Sequence, residues 1–319
     1  MKKILILILG VLSVVSVSAQ QDPQFSQNMF NKLANNPGFA GSRGLIATSV
    51  LHRSQWMGFG EDGGAAASTQ NFSIDAELPF MHGGVGLNIV KDKIAQYSNL
   101  GLQVSYAYRT ELSVGQIGMG MSVGMYQSGL DGGFLKAATS GDPSIPTGDV
   151  SGSSLDLGAG IYYNTQDVYI GISSAHLTEP TIEWTDGAKV TEMDLERHYF
   201  LIAGYTHDLN PMLLLHPSIY LKSDGATSQL DINTSLIYNN KMWGGVSYRL
   251  DELSDTHDDK ITLGIIALFG INITDDLYTS FSYDVVRPDL KNSLEVMLGY
   301  NFKVNYNKAI SKYKNPRFL

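Results

Sequence analysis

Ser293-Leu-Glu-Val-Met-Leu-Gly-Tyr-Asn-Phe302 is the stretch whose reading decides the fold. Apolar Leu294, Val296, Leu298, Tyr300 and Phe302 alternate with Ser293, Glu295, Gly299 and Asn301, and only Met297 breaks the pattern. A period of two residues describes a β-strand with one greasy face. The same period returns in Leu102, Val104, Tyr106 and Tyr108 against Gln103, Ser105, Ala107 and Arg109. It returns again in Ile117, Met119, Met121, Val123 and Met125 against Gly118, Gly120, Ser122 and Gly124. Segments of roughly ten residues with this alternation, separated by turn residues, mark a transmembrane β-barrel. The expected fold is therefore all-β, an antiparallel up-and-down barrel of about fourteen strands over residues 44–303, preceded by a non-strand segment. A secreted β-sandwich is the competing all-β fold. It does not account for aromatics near strand ends, such as Tyr106, Tyr108, Tyr162, Tyr163, Tyr248 and Tyr300, which resemble interfacial girdles.

The remainder of the chain fits a secreted membrane protein. Residues 1–19 open with Lys2 and Lys3, continue as an apolar run from Ile4 to Val17 and end at Ser18-Ala19, the pattern of a secretory signal peptide. The sequence has no Cys, so a lipid-anchored form, disulfides, thiolate metal sites and a cysteine nucleophile are not expected. Later apolar runs are short, such as Ile265 to Phe269, whereas a spanning helix needs about 20 residues. Without Lys2 and Lys3, 20 basic residues face 31 acidic ones, a net charge of −11 that makes nucleic acid an unfavourable partner. The expected organisation is a signal peptide (1–19), a periplasmic or lumen-packing segment (20–43), an outer-membrane barrel (44–303) and a basic periplasmic tail (304–319).

Connection lengths carry a second signal, because outer-membrane barrels alternate short periplasmic turns with longer external loops. Tight links at Asn164 to Gln166, His207 to Asn210 and Asn239 to Lys241 fall on one side, and the long segments 129–151, 178–195 and 251–259 on the other. An even strand number then places both termini in the periplasm.

The catalytic inventory is thin. Seven histidines, at 52, 82, 176, 198, 207, 216 and 257, show no His-Glu-x-x-His spacing, so a metal site has no local support. Gly118, Gly120 and Gly124 lie inside a strand rather than at a strand-to-helix turn, and are read as room for something packed against the inner wall. Ser173 and Ser174 near His176 are the nearest approach to a hydrolytic pair. No catalytic, cofactor or metal residue is assigned, and the protein is expected to be non-enzymatic. Arg109, Asp156, Asp231, Asp284 and Glu295 fall at lumen-facing positions, where they pair with one another, hold a plug or line a path. The acidic run Asp251, Glu252, Asp255, Asp258 and Asp259 reads as a solvated loop, open to cations or a basic partner.

The two ends are more specific. Residues 21–42 lack a strand period, yet carry Phe25, Met29, Phe30, Leu33 and Phe39, so they need a surface to cover. With Asp22-Pro23, Phe25-Ser26-Gln27, Asn36-Pro37 and Ala40-Gly41-Ser42 in this order, the chain resembles the PorP/SprF family of the Bacteroidetes, outer-membrane proteins of type IX secretion and gliding motility. The resemblance rests on Asp22, Pro23, Phe25, Ser26 and Gln27, on Asn36-Pro37 and Ala40-Gly41-Ser42, and on Arg53, Gln55, Trp56 and Gly58. It closes on Pro316, Arg317 and Phe318. It implies non-enzymatic work through protein contacts, with partners among the periplasmic or outer-membrane secretion proteins or a large surface adhesin, beside outer-membrane lipid. A passive porin or a transporter of hydrophobic ligands is the alternative, and the transporter calls for a continuous apolar path through the lumen.

Overall fold

The computed structural model describes residues 22–58, 67–134, 148–186, 189–251, 262–285 and 292–303. The proposed tail with Pro316, Arg317 and Phe318, the signal peptide and most of the acidic run 251–259 lie outside the described residues. In chain order the strands are β1 (Ile46–Gln55), β2 (Ala67–Leu78), β3 (Gly83–Ile94), β4 (Tyr97–Leu112), β5 (Gly115–Asp131) and β6 (Asp149–Asn164). They continue with β7 (Val168–Ala175), β8 (Thr181–Asp186), β9 (Lys189–Asp194), β10 (His198–Tyr205), β11 (His207–Asn210) and β12 (Leu213–Ser223). The last are β13 (Ser228–Tyr238), β14 (Met242–Asp251), β15 (Thr262–Asn272), β16 (Leu277–Val285) and β17 (Ser293–Phe302).

Fourteen of these form one closed antiparallel barrel, each strand pairing with its neighbours in sequence, with β10 joined to β12. The first strand closes on the last, Ile46 opposite Phe302 and Ser54 opposite Leu294. Closure removes the free edge that lipid cannot hydrate, so backbone N–H and C=O groups of the wall are satisfied between strands. The wall has the expected fourteen strands, and all of them lie within residues 44–303.

The alternation sorts the wall. On β17, Leu294, Leu298, Tyr300 and Phe302 are exposed on the outside, while Ser293, Glu295 and Gly299 are buried inside. Met297, the exception to the pattern, is fully buried and packs in the lumen with Phe25, Leu51, Trp243 and Tyr278. Tyr106, Tyr108, Tyr248 and Tyr300 face outward. Tyr162 does not: it is only 1% exposed and sits in the lumen against Phe39 and Tyr169, so it belongs to no girdle. Adjacent Tyr162 and Tyr163 must point to opposite faces, and residue type alone does not say which is which.

Two mouths follow from the strand directions. The near mouth holds the start of β1, the end of β17 and the turns after β2, β4, β6, β13 and β15; the far mouth holds the ends of β5 and β7 and the starts of β6 and β10, and with them the described part of the connection between β7 and β10. That connection is no plain loop. It contains the β8–β9 hairpin, whose Ile182 and Trp184 pack on inward-facing Tyr126 and Leu130 of β5, with Trp184 Nε1 donating to Ser128 O at 3.1 Å. The link 207–210 is likewise a short strand, β11, paired with β12.

The register is testable on β5, where exposed Met121 and buried Ser122 are neighbours. Met121→Arg places a cation in lipid, with an expected cost of about 2–4 kcal/mol near the midplane, read from urea unfolding in vesicles. Ser122→Ala should cost about 1 kcal/mol or less. Equal costs would put the two faces in the wrong phase.

Candidate functional site

The segment from Asp22 to Leu45 occupies the barrel interior. It begins at the far mouth, where Asp22 meets His176, and reaches the near mouth, where Gly41 meets Gly84 before β1 starts. A single helical turn (Lys32–Asn35) and a 3-10 turn (Pro37–Phe39) give it shape, but most of its order comes from the wall.

At the far half, Ser26 and Gln27, both fully buried, lie in an ionic cluster. The backbone N–H groups of Ser26 and Gln27 donate to the two oxygens of Glu295, each at 2.9 Å. Ser26 Oγ donates to Asp284 at 2.7 Å and accepts from Arg53 Nη1 at 2.6 Å. Arg53 also pairs with Asp284 at 2.7 Å and Glu295 at 3.3 Å. Arg249 grips Asp231 through two bonds of 2.8 Å and donates to Phe25 O at 3.1 Å. Asn28 Nδ2 donates to Asp231 at 2.9 Å, and Ser280 Oγ bonds Gln27 Oε1. Two guanidinium groups thus face three carboxylates, and the segment's own N–H and O–H donors supply what the arginines leave short. Charges this deep are tolerated only when paired and hydrogen-bonded, so the segment is part of what allows the cluster to exist.

At the near half the contact is steric. Pro37 and Gly38 lie directly on Gly118 and Gly120, where a Cβ would collide with the segment's backbone, and at Gly160 a Cβ would meet the Asn36 side chain. Gly124 differs: it abuts the Leu102 and Gln103 backbone of its own sheet. Asn36 caps the 3-10 turn by accepting from Gly38 N at 2.8 Å, and its amide donates to Ile161 O at 3.0 Å. Arg109 donates to Gly38 O at 3.0 Å and Asn164 Oδ1 at 2.9 Å. Ala40 is buried, and Gly41, with φ +73°, holds a left-handed conformation suited to glycine against Gly84. Lys32 sits 4.2 Å above the Tyr169 ring, and Phe39 and Leu33 pack with Tyr162, Phe200 and Tyr220. Inward aromatics on β6, β7, β10 and β12 therefore supplement the Gly, Ser and Asn wall that the alternation foretold.

Of the residues singled out in the sequence, Asp22, Phe25, Ser26, Gln27, Asn36, Pro37, Ala40 and Gly41 come together along the lumen. Arg53, Asp231, Asp284 and Glu295 form the ionic cluster, and Arg109 and Asp156 each bind the segment or a residue beside it. Pro23 lines a small pocket at the far mouth. Gln55 accepts from Arg53 Nε at 3.3 Å, and Trp56 N donates to Ser293 Oγ at 3.2 Å, so both mark the rim rather than the plug. Arg249 went unmarked in the sequence, although its place beside outward Tyr248 gives it the inward phase. The Ser173 hydroxyl donates to Asn35 O at 2.6 Å, a structural bond to the segment.

A closed transmembrane barrel whose lumen is filled by its own leading segment defines a class of outer-membrane protein. The chain belongs to the type IX secretion system membrane protein PorP/SprF family, whose model matches residues 17–300. No curated protein matches it. Among solved structures, a FadL homologue from Pseudomonas aeruginosa is similar over 88% of this chain and 95% of its own, with TM-score 0.52 and 12% identity. The CymD monoaromatic hydrocarbon channel is similar over 89% and 94%, with TM-score 0.51 and 10% identity. At such identities the likeness is one of fold.

Two substitutions probe the plug. Arg249→Met leaves Asp231 buried without its partner and should destabilise the barrel by about 3–5 kcal/mol in urea unfolding. Gly120→Val should push Pro37-Gly38 off the wall, so that trypsin cuts at Lys32, buried in the native protein, while the barrel stays folded. Resistance equal to that of the unsubstituted chain would mean the segment does not rest on β5.

Proposed function

We propose that this protein is a non-enzymatic mount of the type IX secretion machinery, a barrel closed by its own N-terminal segment that holds a protein partner instead of passing solute. The observation that carries the reading is the buried contact of Ser26 and Gln27 with Arg53, Asp284 and Glu295 across the lumen. Space on either side agrees with it. A cavity of about 560 Å³ opens at the near mouth and is floored by Met29, Phe30 and Lys32. At the far mouth a pocket of about 60 Å³ lies around Asp22 and His176. Leu33 and Phe39 fill the aromatic half of the lumen, the space that a hydrophobic ligand would use.

The outward apolar belt faces outer-membrane lipid, with the short turns of the near mouth toward the periplasm and the long connections outside. Other secretion-system proteins then meet the near mouth and the tail, or a large surface adhesin docks at the far mouth, in secretion, surface anchoring or gliding. A mild-detergent pull-down from the native membrane separates these two: periplasmic components mark the first and a very large adhesin the second.

In planar bilayers the intact protein should show no sustained single-channel steps, and deletion of residues 21–40 should produce them. Unchanged conductance on deletion would contradict the seal, and solute-permeable intact protein would favour a porin.

A further inference from the structure

Outside the ionic cluster, a second group of polar side chains meets where the segment enters the lumen. Asp22 opens the described segment, His176 follows β7, and His198 is the first residue of β10. Their ligand-capable atoms all lie within 4.8 Å of one another. His176 Nε2 is 3.1 Å from Asp22 Oδ1, and the two imidazole rings stand nearly perpendicular, 83° apart with centroids separated by 5.7 Å. For comparison, metal–ligand bonds of 2.0–2.1 Å in a tetrahedron put ligand atoms about 3.3 Å apart. The set therefore needs only a small inward movement of one side chain.

The outer contacts fix which ring nitrogen faces in. His198 Nδ1 lies 2.9 Å from Glu196 O, and His176 Nδ1 lies 3.0 Å from Asp156 Oδ1. A carbonyl and a carboxylate can only accept, so each Nδ1 carries a hydrogen and Nε2 is the ring nitrogen left to serve the group. Metal-bound histidines have this arrangement, with the far nitrogen held by a carboxylate or a backbone carbonyl. His198 adds an independent sign. It is completely buried, yet its Nε2 has no hydrogen-bond partner among the described residues, whereas buried polar atoms are as a rule paired. His176 lies between the carboxylates of Asp22 and Asp156, two acceptors that a neutral imidazole with one N–H cannot both satisfy. An added positive charge completes the group. It is either a second proton on His176 or a cation shared by all three side chains, and the cation also satisfies His198.

We propose that Asp22, His176 and His198 bind one divalent transition-metal ion, zinc by preference, which latches the start of the N-terminal segment to the barrel wall. Two imidazoles and one carboxylate form a zinc-type donor set with room for a fourth ligand. The small pocket beside Asp22 and His176, where Asn88, Asn99 and Gln103 join apolar side chains such as Val90 and Phe200, leaves space for a water molecule at that position. The ligands come from residues 22, 176 and 198, so no spacing motif could announce them. The site stands apart from the sealing role: a latch would hold an open or a closed lumen alike.

The test uses the full chain without a polyhistidine tag, stripped with a chelator and titrated with zinc by calorimetry, and with cobalt by absorption. One zinc ion per chain is expected, with a tetrahedral cobalt spectrum and a higher thermal midpoint on zinc addition. Asp156→Asn should weaken zinc binding by about 10- to 100-fold, as outer contacts of metal ligands do. Asp22→Asn and His198→Gln should abolish both the spectrum and the thermal shift, while His207→Ala, at an exposed histidine, should change neither. Asp22 belongs to no strand, so its substitution leaves the pairing of the wall intact, and heat-modifiable gel migration checks folding of the His198 variant. Absence of stoichiometric zinc in the native chain, or zinc retained by Asp22→Asn and folded His198→Gln, would overturn the site and leave an imidazolium at His176 as the explanation.

Discussion

A closed sheet of fourteen strands encloses more space than its inward side chains can fill, and that constraint governs this protein. Barrels of about eight strands pack their interiors with their own residues, whereas much wider ones keep a water channel. Here the filler is the chain itself. Residues 22–45 supply Phe25, Met29, Leu33 and Phe39 to three apolar clusters of the inner wall, and backbone donors to Glu295. Small residues on β5 and β6 make the space, and Arg53 and Arg249 on β1 and β14 supply the charge that pins the segment.

The ionic cluster and the glycine track do different work. Gly118, Gly120 and Gly160 only permit close approach, and any compact backbone could lie there. The cluster is selective. Glu295 receives one backbone N–H on each of its two oxygens, and Ser26 is at once donor to Asp284 and acceptor from Arg53. A misplaced segment would leave buried charge unsatisfied, so the pairing specifies register along the lumen more than it adds stability.

Much of the wall was legible in the sequence because lipid imposes a strict period of two. Leu294 through Phe302 read correctly, and even the irregular Met297 found its explanation in the lumen. The plug was half legible: apolar residues without a strand period had to cover something, and the glycines offered a place. What lay hidden depended on contacts between distant segments. The β8–β9 hairpin is too short and too polar to announce itself, and Tyr162 required knowledge of which face was in. His176 and His198 carry no spacing signal, because their partners are Asp22, at the other end of the chain, and a backbone carbonyl.

The claim on which everything else rests is that Ser26 and Gln27 are bonded inside the folded barrel. Hydrogen exchange followed by mass spectrometry on a peptide spanning residues 24–31 measures this directly, because the amides bonded to Glu295 belong to no helix or sheet. Protection of those two amides comparable to that of β17 is the predicted result. Exchange at the rate of an open chain, in a barrel whose strands remain protected, would contradict it.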